Sequence, residues 1–524
     1  MRGSLIPGVQ LGRHSPVVDL LESAERDGSR RLLLWPGGEW TVDELARHAR
    51  ACSVVLQSRG VQHGDRVAIV SGNSAERLAW QFGIWWIGAV EVSVNSELRG
   101  PLLESVLVDA DPRLVVTAAE FVEILPPVAA DMLVIEDVEL PIPTAAQEAA
   151  LDDFARSLAP EGLSTILYTS GTTGPSKGVM LPRAYFSNHG AILAGCLGFV
   201  PDDIGYFILP FFHVDAHIVL AAKLQTGAAM AFDRRFSARQ WWPQIIEWKA
   251  TWAFYIGSIA SVVMATGDGL PPQPTRLRRL WGGPTPAAAY EHFEDRLGIP
   301  LYSLYGQTEA DGPLIGLGGR YPRGTVGSAC AGFDVEIHDE HGNVVPPGVS
   351  GEIVYRPQYP QLMTLGYWRR DDATVDSFRG LWFHSGDLGS MDLDGFVTFE
   401  GRITDSLRRR GENISALEIE AVMNGAPHVH ETAAVPVEDE MGGEDEIKVF
   451  VVPATDAFCV EDFFQYCEEN LPRYAVPAFI EITTSEAFVR SVGNGNVHKR
   501  HLSRATSGPA IHSRPRELRS GSVS

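Results

Sequence analysis

Along the first 125 residues the apolar positions switch between two periods. After Thr41-Val42-Asp43-Glu44, a capping-box signature, Leu45, Ala49, Cys52 and Leu56 recur at helical spacing. Gly64-Asp65 then turns the chain into Arg66–Val70, which reads as a strand. Asn73-Ser74-Ala75-Glu76 opens an apolar helix, and Val90–Val94 is a further strand. The apolar stretch from 78 to 92 is interrupted by Gln81 and Glu91, is too short to span a bilayer, and reads as a core helix. This alternation predicts a sheet covered by helices.

Residues 126–162 are rich in Ala, Pro, Asp and Glu and read as a surface connection. From Thr165 to about Tyr321 the β/α rhythm resumes, with strands expected at Tyr206–Phe211, Trp252–Ile256 and Arg279–Trp281. Between Gly324 and Phe399 short β segments and turns predict a small β-rich subdomain. A polar run from Gly401 to Gly411 precedes an α+β segment of about a hundred residues, a plausible domain size. Ser503 to Ser524 is Ser-, Arg-, Gly- and Pro-rich and is expected to be disordered. The expected fold is α/β plus α+β. A large domain of mixed sheets flanked by helices, with the β-rich subdomain, spans 1–401; a small α+β domain spans 402–502; a disordered tail spans 503–524.

The 524 residues are 45% hydrophobic and 21% charged, an ordinary soluble composition. The net charge of −23 opposes binding to nucleic acid and to anionic membranes, which both require basic surface. Cys52, Cys196, Cys330, Cys459 and Cys467 are odd in number and scattered, so a reducing cytoplasm fits better than a disulfide framework or zinc site. No apolar leader opens the chain. Lysine is scarce, with only Lys177, Lys223, Lys249, Lys448 and Lys499.

One of those lysines closes the segment Thr169-Ser170-Gly171-Thr172-Thr173-Gly174-Pro175-Ser176-Lys177-Gly178, which lies between two apolar runs, Ile166-Leu167-Tyr168 and Val179-Met180-Leu181. Its glycines let backbone N–H groups turn toward a ligand. Its hydroxyls and lysine add donors and charge suited to phosphate oxygens. It is not a Walker loop, which requires Gly-Lys-Ser/Thr followed by a helix. A Ser/Thr/Gly-rich hairpin loop is the alternative reading of this stretch alone.

Four further stretches follow in order: Tyr305-Gly306-Gln307-Thr308-Glu309, His384-Ser385-Gly386-Asp387-Leu388, Gly401-Arg402-Ile403-Thr404-Asp405 and Arg410-Gly411-Glu412-Asn413-Ile414. With the loop they make the chain resemble the adenylate-forming superfamily of acyl-CoA synthetases, luciferases and peptide-synthetase adenylation domains, in style closest to small acid–CoA ligases. The resemblance covers residue 17 to Leu502. It implies ATP and Mg²⁺ as cofactors, CoA as co-substrate, and an acyl-adenylate formed with release of pyrophosphate. It implies that Thr169, Ser170, Gly171, Thr172, Thr173, Gly174 and Lys177 hold the β- and γ-phosphates. Thr308 would donate to the α-phosphate and Glu309 would bind Mg²⁺. Tyr305 and Gly306 would lie against adenine, bordered by Gly282 and Gly283, and Asp387 with Arg402 would take the ribose hydroxyls. The small C-terminal domain would be mobile about Asp405. Gly411 would let a pantetheine arm pass, or would simply make a turn.

The acid site of the family lies beside His213, Asp215, Gly257 and Ser303. His213 resembles a gating residue, though a histidine packed at a strand end fits equally. Asp215 favours an acid bearing an amino or ammonium group, and Trp241, Trp242, Trp252 and Trp281 offer cation–π faces if they are not core. The chain departs from the family at Gly493-Asn494-Gly495-Asn496-Val497-His498-Lys499, where Asn496 occupies the place of a catalytic lysine. Asparagine donates hydrogen bonds without charge. Three explanations stand: Lys499 substitutes, the reacting oxyanion does not need that lysine, or adenylation is impaired. The expected activity is ATP-dependent activation of a small acid and its transfer to CoA. The alternatives are a nitrite-activating enzyme coupling to an arylamine in secondary metabolism, and a nucleotide-binding homologue without turnover.

Overall fold

Thr41 starts the helix Val42–Ser58 with a complete capping box. Its hydroxyl accepts the Glu44 N–H at 3.2 Å, and the Glu44 carboxylate accepts the Thr41 N–H at 2.7 Å. Ser74 caps the next helix, Ala75–Trp86, which is buried almost all round. That helix stops at Trp86 because Gly88, at φ +68°, turns the chain into the strand Val90–Ser93. The apolar stretch 78–92 is therefore a helix and a strand rather than one helix. The computed structural model describes residues 11, 14–127, 130–169, 176–266, 269–403, 407–409, 412–414, 416–438, 445–488, 497, 499 and 502–514.

Three sheets carry the larger part of the chain. A six-stranded sheet runs Asp131–Val134, Leu114–Thr117, Arg66–Val70, Val90–Ser93, Leu163–Thr169 and Lys177–Pro182, parallel except for the last pair. That last pair is the antiparallel hairpin around the Ser/Thr/Gly loop, so a strand, not a helix, follows the loop. A nine-stranded mixed sheet includes Ile204–Phe207, Trp252–Tyr255, Arg279–Gly282, Leu301–Gln307 and Ala310–Gly316. An antiparallel five-stranded sheet spans Phe333 to Arg402, where the β-rich subdomain was expected. Beyond it come the hairpin Leu407–Arg409/Glu412–Ile414 and a four-stranded sheet with the helices Ala416–Met423 and Val460–Asn470. This last part has its own apolar core, including Ile419, Met423, Ile447, Val449 and Phe463, and Leu102 of the larger part packs against it.

Three expectations change. Residues 126–162 hold the strand Asp131–Val134 and the helix Ala145–Ser157, capped by a Thr144–Gln147 capping box. Leu151 and Ala155 of that helix are buried, and Asp152 takes Arg50 at 2.7 Å. Within the tail expected to be disordered from 503, the strand Ile511–Ser513 joins Phe479–Ile482, fixed by an Arg514–Glu468 ion pair at 2.6 Å, while 515–524 lie outside the described residues. The four tryptophans offered as cation–π faces are core residues. Trp252 does face a cation, but it is the buried Nζ of Lys223, 3.9 Å from its ring centroid.

Candidate active site

A cleft of about 1980 Å³ opens between the sheets and the C-terminal part. On Leu301–Gln307, Leu304, Gly306 and Gln307 line the cleft, whereas Ser303 is 1% exposed and does not. Ser303 therefore does not touch the cleft as expected; Leu304 takes its place. Gly257 begins the helix Gly257–Ala265, and Ile256 and Ile259 beside it supply the wall.

Tyr305 and Asp387 meet beside Gln307, which lines the cleft. The Tyr305 hydroxyl donates to Asp387 Oδ2 at 2.7 Å, and Gln307 Nε2 donates to the same oxygen at 3.2 Å. Gln307 also donates to the Ser385 carbonyl at 2.8 Å and accepts from the Tyr355 hydroxyl at 3.2 Å. Arg402 pairs with Asp387 across the strands, but its side chain lies outside the described residues. Gly282, Gly283 and Gly306 have no room for a side chain: a Cβ would meet Tyr255 O at 1.7 Å, Leu304 O at 2.7 Å and Gly312 N at 2.5 Å respectively. The backbone there is consequently packed close against its neighbours.

Glu309 is 8% exposed, in the turn between the strands Leu301–Gln307 and Ala310–Gly316. Tyr367 donates its hydroxyl to Glu309 Oε1 at 2.6 Å, and its ring lies 5.1 Å from Lys177 Nζ. Thr364 N–H donates to the Glu309 carbonyl at 2.8 Å, so the segment 364–368 straps Glu309 to the loop-bearing strand. Thr169 and Lys177 face each other at the loop mouth. Ser170, Gly171, Thr172, Thr173 and Gly174 lie outside the described residues, as do Asp405, Gly411 and Asn496. Among the described residues no group of three or more His, Cys, Asp or Glu is placed to hold a metal. One buried, oriented carboxylate still suits Mg²⁺, which usually keeps several waters and is bound by one or two carboxylates together with substrate phosphates. Glu309 would hold the ion on the protein side.

Thr308 lines the cleft, and its carbonyl accepts from the Tyr185 hydroxyl at 3.1 Å. The same hydroxyl accepts the Asp311 N–H at 2.8 Å. Burial holds the Tyr185 phenol well above its ordinary range, with the Asp311, Glu309 and Asp215 charges adding to the shift. His213 lines the cleft as N-cap of the helix Val214–Thr226, and Asp215 follows in its first turn. Asp311 lines the cleft too, and burial, reinforced by the Asp215 charge, raises its carboxyl.

The C-terminal part contributes Arg409, Ile414, Glu418 and Ile419 to the same cleft. Glu418 Oε1 accepts from both the N–H and the hydroxyl of Ser176, the latter at 2.6 Å. Burial raises the Glu418 carboxyl and the two Ser176 donors oppose that shift. Lys499 is engaged elsewhere, in an ion pair with Glu420 at 2.7 Å within the C-terminal part. Sequence reasoning missed Tyr367, Asp311 and Glu418. Asp311 lies two positions past the Thr-Glu pair and was within reach of it; Tyr367 and Glu418 carry no local signal.

The chain matches the model of the AMP-binding enzyme family over residues 20–368 and that of the AMP-binding enzyme C-terminal domain over 418–490. It is 28% identical over 464 residues to a crotonobetaine/carnitine–CoA ligase of Escherichia coli, covering 84% of this chain and 89% of that one. The o-succinylbenzoate–CoA synthetase of Bacillus subtilis shares the fold at 22% identity over 93% of this chain and 98% of its own. Its double mutant with a CoA product analogue gives a TM-score of 0.81, and its complex with AMP gives 0.64. ATP and Mg²⁺ are the cofactors of this chemistry. The chain belongs to the AMP-binding enzyme family and is an ATP-dependent, adenylate-forming ligase.

Proposed function

We propose that the protein activates a small carboxylic acid as its adenylate and passes the acyl group to CoA. One observation carries the reading: Arg409, Ile414 and Glu418 of the C-terminal part line the same cleft as His213, Gly306 and Thr308. A carboxylate held beside Thr308 forms a bond to the ATP α-phosphorus, and the bond to the pyrophosphate leaving group breaks. Thr308 donates to the charge that builds on the α-phosphate oxygens, and Lys177 and its loop hold the leaving phosphates. Mg²⁺ at Glu309 would neutralise phosphate charge when bound. In the second half the CoA thiolate forms a bond to the acyl carbon, the acyl–phosphate C–O bond breaks, and AMP leaves.

With Lys499 held by Glu420, the reading gives the adenylation donor role to the neutral amide of Asn496. The test is isotopic. Acid labelled with ¹⁸O in its carboxylate is incubated with ATP, Mg²⁺ and CoA. One ¹⁸O transferred to AMP, in step with acyl-CoA, is the expected result; unlabelled AMP, or AMP without thioester, contradicts it. AMP release that needs nitrite and ignores CoA would replace it with the arylamine reaction.

A further inference from the structure

Asp311 is 7% exposed, lines the cleft, and carries no hydrogen bond or ion pair on its carboxylate among the described residues. Its backbone N–H is used by Tyr185, so the main chain fixes where the side chain sits. The charged group it feels is another carboxylate, Asp215, on the same cleft wall. Asp215 alone has an ordinary explanation, because an acidic residue in a first helical turn complements the helix dipole. Asp311 has none: it stands on the strand Ala310–Gly316 beside Leu304 and Trp281, with no helix end to serve. Burial and a second carboxylate nearby make Asp311 costly to ionise, and a cationic group entering the cleft offsets that cost.

We propose that Asp311, with Asp215, forms an anionic recess that receives a cationic nitrogen on the acid substrate, and that Asp311 thereby determines specificity. This rests on the acid-activating reading and adds to it both the substrate class and a residue. The substrate then spans the cleft, with its carboxylate toward Thr308 and its ammonium group toward the pair. A neutral acid of the same shape offers Asp311 no opposite charge, and that difference is what selects the cation.

The experiment uses the full chain with Mg²⁺-ATP and reads acid-dependent AMP and pyrophosphate release. Paired probes of graded length are compared: ω-amino acids against methyl-terminated isosteres, and ω-trimethylammonio acids against tert-butyl isosteres. The wild type is expected to favour the cationic member of at least one pair. Asp311→Asn keeps the shape and should lower kcat/KM for that cation by about 10- to 100-fold, mostly in KM, while leaving its neutral isostere within a few-fold. Asp215→Asn should move the same ratio in the same direction. Thermal melts with and without ATP confirm that each variant folds and binds nucleotide. Equal use of cationic and neutral members by the wild type overturns the recess. So does an Asp311→Asn variant that loses both alike or raises the Mg²⁺ requirement, which would place Asp311 with Glu309 at the metal. If neither class supports AMP release in the wild type, the acid-activating reading falls, and the recess with it.

Discussion

Tyr367 donates its hydroxyl to Glu309 at 2.6 Å while presenting its ring to Lys177, 5.1 Å away. One side chain thus sets the position of the carboxylate that would hold Mg²⁺ and of the strand lysine that would hold phosphate. Tyr367→Phe keeps the ring and removes only the hydrogen bond. Partners of this kind typically change metal affinity or activity by about 10- to 100-fold. The Mg²⁺ concentration for half-maximal AMP release should therefore rise by about 10-fold, with the melting temperature little changed. An unchanged Mg²⁺ titration would separate Tyr367 from the metal role.

Glu418 joins the C-terminal part to Ser176, which follows the Ser/Thr/Gly-rich segment. Glu418→Ala removes that tie. The expected outcome in single-turnover assays is adenylate formation at its original rate and thioester formation slowed by about 10-fold, as for a lost charged hydrogen bond. Slowing of both halves alike would mean that Glu418 serves ATP binding rather than closure.

Asn496→Lys restores the cationic donor that the family carries. A single transition-state donor is worth about 10²–10³ in rate. The reading predicts a gain of that order in acid-dependent pyrophosphate release. No gain would mean that this cleft stabilises its oxyanion without a cation at 496.

Much of this architecture was legible because local chemistry agreed with tertiary structure. The Thr41–Glu44 capping box, the Ser74 cap and the apolar runs at 166–168 and 179–181 each did their local work where the pattern placed them. The helix Ala145–Ser157 was missed although Thr144 and Gln147 form a capping box, because the surrounding prolines and acids dominated the composition. The site was harder to read where position depends on strand phase. The resemblance implies Ser303 at the acid site, but along the strand it is Leu304 that lines the cleft. The Tyr367–Glu309 and Ser176–Glu418 bonds join residues far apart in sequence, and no spacing rule reaches that far.

Asp19 offers a test of the core independent of catalysis. It is buried in the helix Pro16–Asp27, accepts from Ser187 at 2.6 Å and Gln225 at 3.0 Å, and burial pushes its carboxyl up to about 7. The folded state thus retains the proton to higher pH than the unfolded chain. The stability from this group is full below the unfolded value near 3.8 and is lost as pH rises through about 7, by up to roughly 4 kcal/mol. Asp19→Asn keeps an acceptor for both partners and removes the charge. Its melting temperature should exceed that of the wild type at pH 8 and approach it near pH 4. A pH-independent difference would show that Asp19 is not the titrating group.

The most direct test of the central claim is substrate-dependent AMP and pyrophosphate release from Mg²⁺-ATP. The screen covers small acids with and without CoA, and nitrite with and without arylamines. The account predicts release that depends on an acid and yields a CoA thioester in equal amount to AMP. Release that depends on nitrite and is indifferent to CoA would contradict it.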